Sequence, residues 1–263
     1  MNPNFGPFSV NVFPIPVILS QMNWRTTMLR RKGTRTMETI SFITSNLGLI
    51  AQLLGQHLYI VFMAVGLAIL TGVPLGIFVS QHPRPGRWVL TFAAMLMTIP
   101  SAALFGLMIP LLSIWGQGIG MVPAIIALFL YSQLPIIRNT HTAISNVEPS
   151  LREAARGMGM SSWQRLWKVE LPLAMPLIMA GVRVATVINI GIAAIAAYIG
   201  AGGLGSLIVR GIAQSDTRQL IAGAILISVI AVLADYALAL LQRALTPKGV
   251  IKLNNLSMKE ATS

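Results

Sequence analysis

Apolar residues in this chain gather into long runs separated by short polar segments. About 20 apolar residues suffice for a helix to cross a hydrocarbon core. Five runs meet that length and predict spans over residues 58–80, 89–114, 119–137, 176–199 and 219–241. Trp88 and Trp115 bound the second. At 1.5 Å per residue it measures about 40 Å, the bilayer with its headgroup layers, so the two tryptophans read as an aromatic belt or as ordinary core residues. Pro74, Pro100, Pro110 and Pro123 fall inside spans and predict kinks, with neighbouring helices satisfying the freed carbonyls. Ahead of the first span, Ile40, Ile43, Leu47, Ile50, Leu53 and Leu54 recur at helical spacing, so residues 37–56 are expected at the interface or packed on the bundle. Residues 1–36, with Pro3, Pro7, Pro14 and Pro16 and no sustained period, read as a disordered extension, with Met37 as an alternative start.

Composition agrees with a membrane protein. The 263 residues are 55% hydrophobic and 10% charged, with a mean hydropathy of +0.74. A soluble domain carries about a quarter of its residues as charges and needs them to coat its surface. The net charge of +12 would suggest nucleic acid on a soluble protein. On a membrane protein it is a topology signal, because cytoplasmic loops collect Lys and Arg. Arg84 and Arg87 follow the first span; Arg138, Arg152, Arg156, Arg165 and Lys168 follow the third; Arg243, Lys248, Lys252 and Lys259 occupy the tail, residues 243–263. The other side holds only Arg210, Asp216 and Arg218 between spans. The expected amino terminus is therefore outside and the carboxyl terminus cytoplasmic. With no cysteine, disulfides, thiolate metal sites and a cysteine nucleophile are excluded.

The one sizeable polar segment inside the bundle is the loop 138–175, and a loop of that length usually has a job. Pro149 and Ser150 followed by Glu153 read as a capping box opening a short helix that Gly157 and Gly159 would end. Ser161 with Gln164 repeats the signal for a second helix, which Leu171 and Pro172 would stop. The first is expected to expose Arg152, Glu153 and Arg156 beside the small Ala154 and Ala155. Trp163, Leu166, Trp167 and Val169 would pack the second against the spans.

Glu153, Ala154, Ala155, three residues, Gly159, nine residues, Val169, one residue, Leu171 and Pro172 resemble the cytoplasmic-loop signature of permease subunits of binding-protein-dependent ABC importers. Only Val169 departs, standing for Ile. The resemblance implies an all-α polytopic membrane protein with the type I importer permease fold, residues 57–242 forming the transmembrane domain. It also implies that the loop is a coupling helix docking on a separate ATP-binding subunit, through Glu153, Ala154, Ala155 and Gly159 with Arg152, Arg156, Leu171 and Pro172 around them. Gln56 to Leu58, Gly72 to Gly76, Thr98 to Ser101, Met108 to Leu111, Pro123 to Ala127, Arg138 to Thr140, Gly157 to Met160 and Gly200 to Gly205 are similar to the glycine betaine, carnitine, choline and proline branch. Permeases for methionine and other amino acids share the fold and the loop, so the branch rests on these scattered motifs.

Other constellations point away from chemistry on this chain. No G-x-x-x-x-G-K-[ST] is present, so energy is expected from another subunit. Gly200 to Gly205 fits G-x-G-x-x-G but follows a membrane helix with no βαβ unit around it, and reads as an external loop. His57, His82 and His141 have no second ligand at metal spacing and read as interfacial polar residues at span ends or in loops; no catalytic set, metal or cofactor is expected. Polar groups inside spans are costly and each needs an account. Asn189 should face the bundle, lining the pathway or bonding a neighbouring helix. Arg183 and Asp235 lie at similar depth in antiparallel spans and predict an ion pair. Five spans are too narrow to enclose a path, so the expected partners are a second permease subunit, identical or related, an ATP-binding subunit, an external solute-binding protein and membrane lipid, with no nucleic acid. The resemblance puts the aromatic cage for a quaternary ammonium on the binding protein. A self-contained secondary transporter or channel, and a purely structural subunit, are the readings of another class.

Overall fold

The structure, a computed structural model, describes residues 37–246. The expectations for residues 1–36 and for the tail beyond residue 246 lie outside the described residues. All regular structure among the described residues is helical. Residues 37–45 are helical and lead, through a turn at Asn46, into α1 (Leu47–Gln81). Then follow α2 (Pro83–Thr98), α3 (Ser101–Ser113) and α4 (Met121–Ser145). The loop carries α5 (Pro149–Gly157) and α6 (Ser162–Arg165), and a π-turn (Leu166–Glu170) opens into α7 (Leu171–Ile195). After a 3-10 turn (Ala196–Ile199) come α8 (Gly205–Ala213) and α9 (Thr217–Leu245).

Four helical stretches are each long and apolar enough to cross a membrane, and α2 with α3 makes a fifth as a pair bent by 99°. Helix α4 sits at the centre, against α1, α2, α3 and α7. The core joins Ile60, Ala64 and Ala68 of α1, Phe105 of α3, Leu128 of α4 and Ile190 of α7. At the α4–α7 contact Gly181 leaves no room for a side chain. A Cβ there would fall 2.6 Å from Asn139 Cβ and 2.8 Å from the Pro135 carbonyl oxygen. Close backbone approach of this kind suits helix pairs in lipid, where small residues take the place of a hydrophobic driving force.

Several expected boundaries move. The first span begins at Leu47 instead of residue 58, so residues 47–56 belong to one 35-residue helix and not to a separate interfacial segment. Its polar Gln56 and His57 are tolerated inside because both find partners, Gly203 N–H and the Ile190 carbonyl. His57 is accordingly fully buried, not interfacial. The second span is not a straight rod between Trp88 and Trp115. Residue Ile99, preceding Pro100, is extended at φ −68°, ψ 126°, as the steric demand of the proline ring requires, and the chain turns there. Tyr131 of α4 donates its hydroxyl to the Ile99 carbonyl that the break leaves free. By contrast α1 and α3 run on through Pro74 and Pro110, and Pro123 falls in the first turn of α4, where no hydrogen bond is lost.

Candidate functional site

The polar loop is shorter than residues 138–175, because α4 runs on to Ser145 and α7 starts at Leu171. Helix α5 opens at Glu148 with Pro149 in its first turn, and no side chain caps it. The expected Ser150 capping box does not form, since Ser150 already lies within the helix. Its far end closes as the sequence suggests. Met160 N–H donates to the Ala155 carbonyl (3.1 Å) and Gly159 N–H to that of Arg156 (2.9 Å), with Gly159 at φ +76°. This is a Schellman closure, and its left-handed residue is the reason the motif needs glycine at that position.

The helix presents Glu153, Ala154 and Arg156 outward, with Gly157, Met158 and Gly159 exposed beyond them. Ala155 is buried, and Arg152, three residues earlier on the same face, turns inward. Residues three apart share one side of a helix, so these two expected docking residues belong to the bundle side. The Arg152 Nη2 donates to the Ile144 carbonyl in the last turn of α4, and its Nε lies 3.5 Å from Glu170 Oε1.

Ser161 and Gln164 form the expected capping box, Gln164 N–H to Ser161 Oγ (3.3 Å) and Ser161 N–H to Gln164 Oε1 (3.0 Å). Leu171 and Pro172 do not stop the second helix. A π-turn carries α6 into α7, and Pro172, in the first turn of α7, falls where the ladder changes register. The wider turn brings Arg165 against Glu170, Nε to Oε1 2.9 Å, with the carboxylate buried. Leu171 packs with Leu166 on Ala143, Ile144, Ala174 and Ile178. Of the expected stripe only Leu166 is buried; Trp163 and Trp167 are exposed and meet edge to face at 5.4 Å.

Deeper along α7, Arg183 makes a two-pronged ion pair with Asp235 of α9, Nε to Oδ1 2.9 Å and Nη2 to Oδ2 2.8 Å. Its Nη1 donates to Gln242 Oε1 (3.0 Å), and Gln242 returns to the Pro176 carbonyl (2.8 Å). Asn189 is fully buried between helices. Its Nδ2 donates to Ser132 Oγ (2.6 Å) and to the Leu128 carbonyl (3.2 Å) of α4, leaving Oδ1 with no protein partner.

At the opposite end of α7 the glycine-rich turn folds over α1. Gln56 Oε1 accepts the Gly203 N–H at 3.0 Å, and His57 Nε2 lies 3.1 Å from the Ile190 carbonyl. Gly200, Gly202 and Gly203 all have left-handed φ, between +74° and +79°. Glu170, Gln56, Ser132 and Gln242 were not singled out as site residues from sequence. A signal existed for Gln56, which stands in one of the branch motifs.

As the N-cap of α9, Asp216 accepts from Arg218 N–H (3.0 Å) and Nε (3.1 Å), and this partner holds its carboxyl down at about 2.

Together these elements define a multi-pass, all-helical membrane domain that carries a pair of polar helices between its two most enclosed crossings. The family model for the inner membrane component of binding-protein-dependent transport systems matches residues 68–248, and the chain belongs to that family. It is a multi-pass inner-membrane permease of a transport system that depends on a binding protein. Osmoprotectant import permease protein OsmW of Salmonella typhimurium is 56% identical over 214 residues, 81% of this chain and 100% of that protein. The glycine betaine/carnitine/choline transport system permease protein OpuCB of Bacillus subtilis is 42% identical over 81% of this chain and 96% of its own length. Among solved structures, the inward-facing MetNI methionine ABC transporter matches with a TM-score of 0.71 at 24% identity, covering 77% of this chain and 99% of that one, a likeness of fold.

Proposed function

We propose that this chain is the permease subunit of an ATP-driven importer for a quaternary ammonium or related osmoprotectant, of the glycine betaine, choline and carnitine kind. The observation that carries the substrate class is the 56% identity to OsmW over its whole length, set against 24% to the methionine transporter. A hydrolytic subunit on a separate chain docks on the outward face of α5, at Glu153, Ala154, Arg156 and Gly159. That face is small in the middle, charged at both sides and closed by a rigid glycine turn, which suits insertion into a cleft. The docking side is cytoplasmic, in keeping with the basic residues of the loop, and the binding protein delivers solute at the other end. A second permease subunit completes the path, and closure of the ATPase pair moves the α5 helices so that access alternates.

The test reconstitutes the complete importer in proteoliposomes and follows radiolabelled glycine betaine and methionine. ATP-dependent betaine uptake is expected in the wild type. In Glu153→Lys and Gly159→Leu it should be lost, with membrane insertion intact and the ATPase subunit no longer copurifying. Normal uptake in those variants refutes the docking face, and methionine uptake without betaine uptake refutes the substrate class.

A further inference from the structure

Three helices meet at one buried carboxylate beneath the docking helix. Glu170 occupies the last position of the π-turn, at the foot of α7, and is only 6% exposed. Its Oε1 is approached by two guanidiniums from different helices, Arg165 Nε of α6 at 2.9 Å and Arg152 Nε of α5 at 3.5 Å. The same Arg152 reaches past it to the Ile144 carbonyl in the last turn of α4. Two cations share one carboxylate, and the sharing is unequal. Arg165 holds a hydrogen bond, whereas Arg152 Nε is buried with no hydrogen-bond partner and is held by charge alone. A pocket of about 390 Å³, walled also by Ser80, Gln81 and His82, opens beside the cluster.

We infer that Glu170 is a positioning residue for transport: the joint through which displacement of the docking helix is passed to α7, and through Arg152 to α4. The inference rests on the docking reading of α5. Helix α5 has little else to pull with. It buries only Ala155, and Arg152 is its charged contact with the bundle. A buried ion pair is a poor source of stability but holds geometry strictly, because separating its members leaves a charge uncompensated. A push on α5 therefore drags the carboxylate, and with it the first turn of α7, before it breaks the pair. The π-turn is the compliant element, since its ladder is already out of α-helical register. Helices α4 and α7 are joined again deeper in the bundle by Asn189 and Ser132, so both ends of the moving pair are tied.

The experiment measures solute uptake and ATP hydrolysis on the same proteoliposomes holding the complete importer. In Glu170→Gln the ATPase subunit is expected to copurify and hydrolyse ATP, while uptake per ATP falls about tenfold, the effect of one charge-assisted hydrogen bond on the balance between two states. Glu170→Asp should recover part of the ratio. Should Glu170→Gln not accumulate in the membrane, Arg152→Gln carries the same test, because Glu170 keeps Arg165 as its partner. Unchanged uptake per ATP in either variant overturns the inference, and so does release of the ATPase subunit by Glu170→Gln, which would make Glu170 part of the docking face. Retention of the ATPase subunit by Glu153→Lys defeats the docking reading itself, and the joint with it.

Discussion

Replacing Gly202 by alanine tests how the glycine-rich turn is fastened to α1. Its φ of +79° is left-handed, which costs an L-residue about 1–2 kcal/mol. The new Cβ would lie 2.5 Å from Gln56 Oε1. That atom ends a flexible side chain and could swing aside, but it accepts the Gly203 N–H, so moving it forfeits that bond, about 1 kcal/mol. Alanine also restricts the unfolded chain and returns about 0.4–1 kcal/mol. The net loss is about 2 kcal/mol, and Gln56→Ala alone, which removes only the bond, should cost about 1 kcal/mol. In the double variant the bond is already gone and the clash disappears. Its cost should stay near 2 kcal/mol, not rise to about 3 kcal/mol, a coupling that neighbouring sites show and distant ones do not. Thermal unfolding of the purified permease in detergent reads this out. At about 3 °C per kcal/mol the expected drops are about 6, 3 and 6 °C for Gly202→Ala, Gln56→Ala and both together. A double variant melting about 9 °C below wild type would show the two sites to be independent and refute the fastening.

Asn189→Leu is expected to melt near the wild type, since the amide bonds only α4 atoms and leucine removes the unpartnered Oδ1, whereas Asn189→Ala should lose about 1–2 kcal/mol. A melt of Asn189→Leu as low as that of Asn189→Ala would instead make the two hydrogen bonds to α4 the source of stability there. For Asp216, the folded carboxyl titrates at about 2, below its ordinary 3.8. Its contribution to stability is therefore complete above the ordinary value and disappears as pH falls through about 2. The difference in melting between wild type and Asp216→Asn should shrink between pH 4 and 2, and a difference that grows on acidification refutes the assignment.

Apolar length made the crossings legible, and periodicity could not place their ends. Gln56 and His57 look like the edge of a span in sequence, yet their hydrogen bonds come from residues more than a hundred positions away, so nothing local marks them as interior. Pro100 shows the same limit from the other side. A proline in a membrane helix reads as a kink, and the Tyr131 hydroxyl that takes up the freed Ile99 carbonyl across a 99° bend comes from another helix. In the loop, the spacing from Glu153 to Gly159 marked a short helix and its end, and the left-handed φ of Gly159 gives that spacing its physical cause. Which face Arg152 takes depended on Glu170, which no pattern singled out, because a carboxylate between Lys168 and Pro172 in a polar loop looks solvated. The Arg183–Asp235 pair was legible because charges inside a span must find each other, and depth alone matched them.

Polar groups along α7 fasten it to four neighbours. Helix α7 holds Glu170 at its foot, Arg183 and Asn189 in its body, and the glycine-rich turn beyond its end, over 25 residues or about 37 Å. Each joins a different neighbour: α5, α9, α4 and α1 in turn. Apolar contacts alone would let these helices slide against one another at little cost, since lipid is as good a neighbour as leucine. Directional bonds at four depths do not permit sliding, and leave α7 to move as one body with what it holds. The α-helical register is broken at the π-turn below this body, so under the proposed docking of α5 a displacement applied there would tilt α7 and reach the turn that closes over Gln56 and His57.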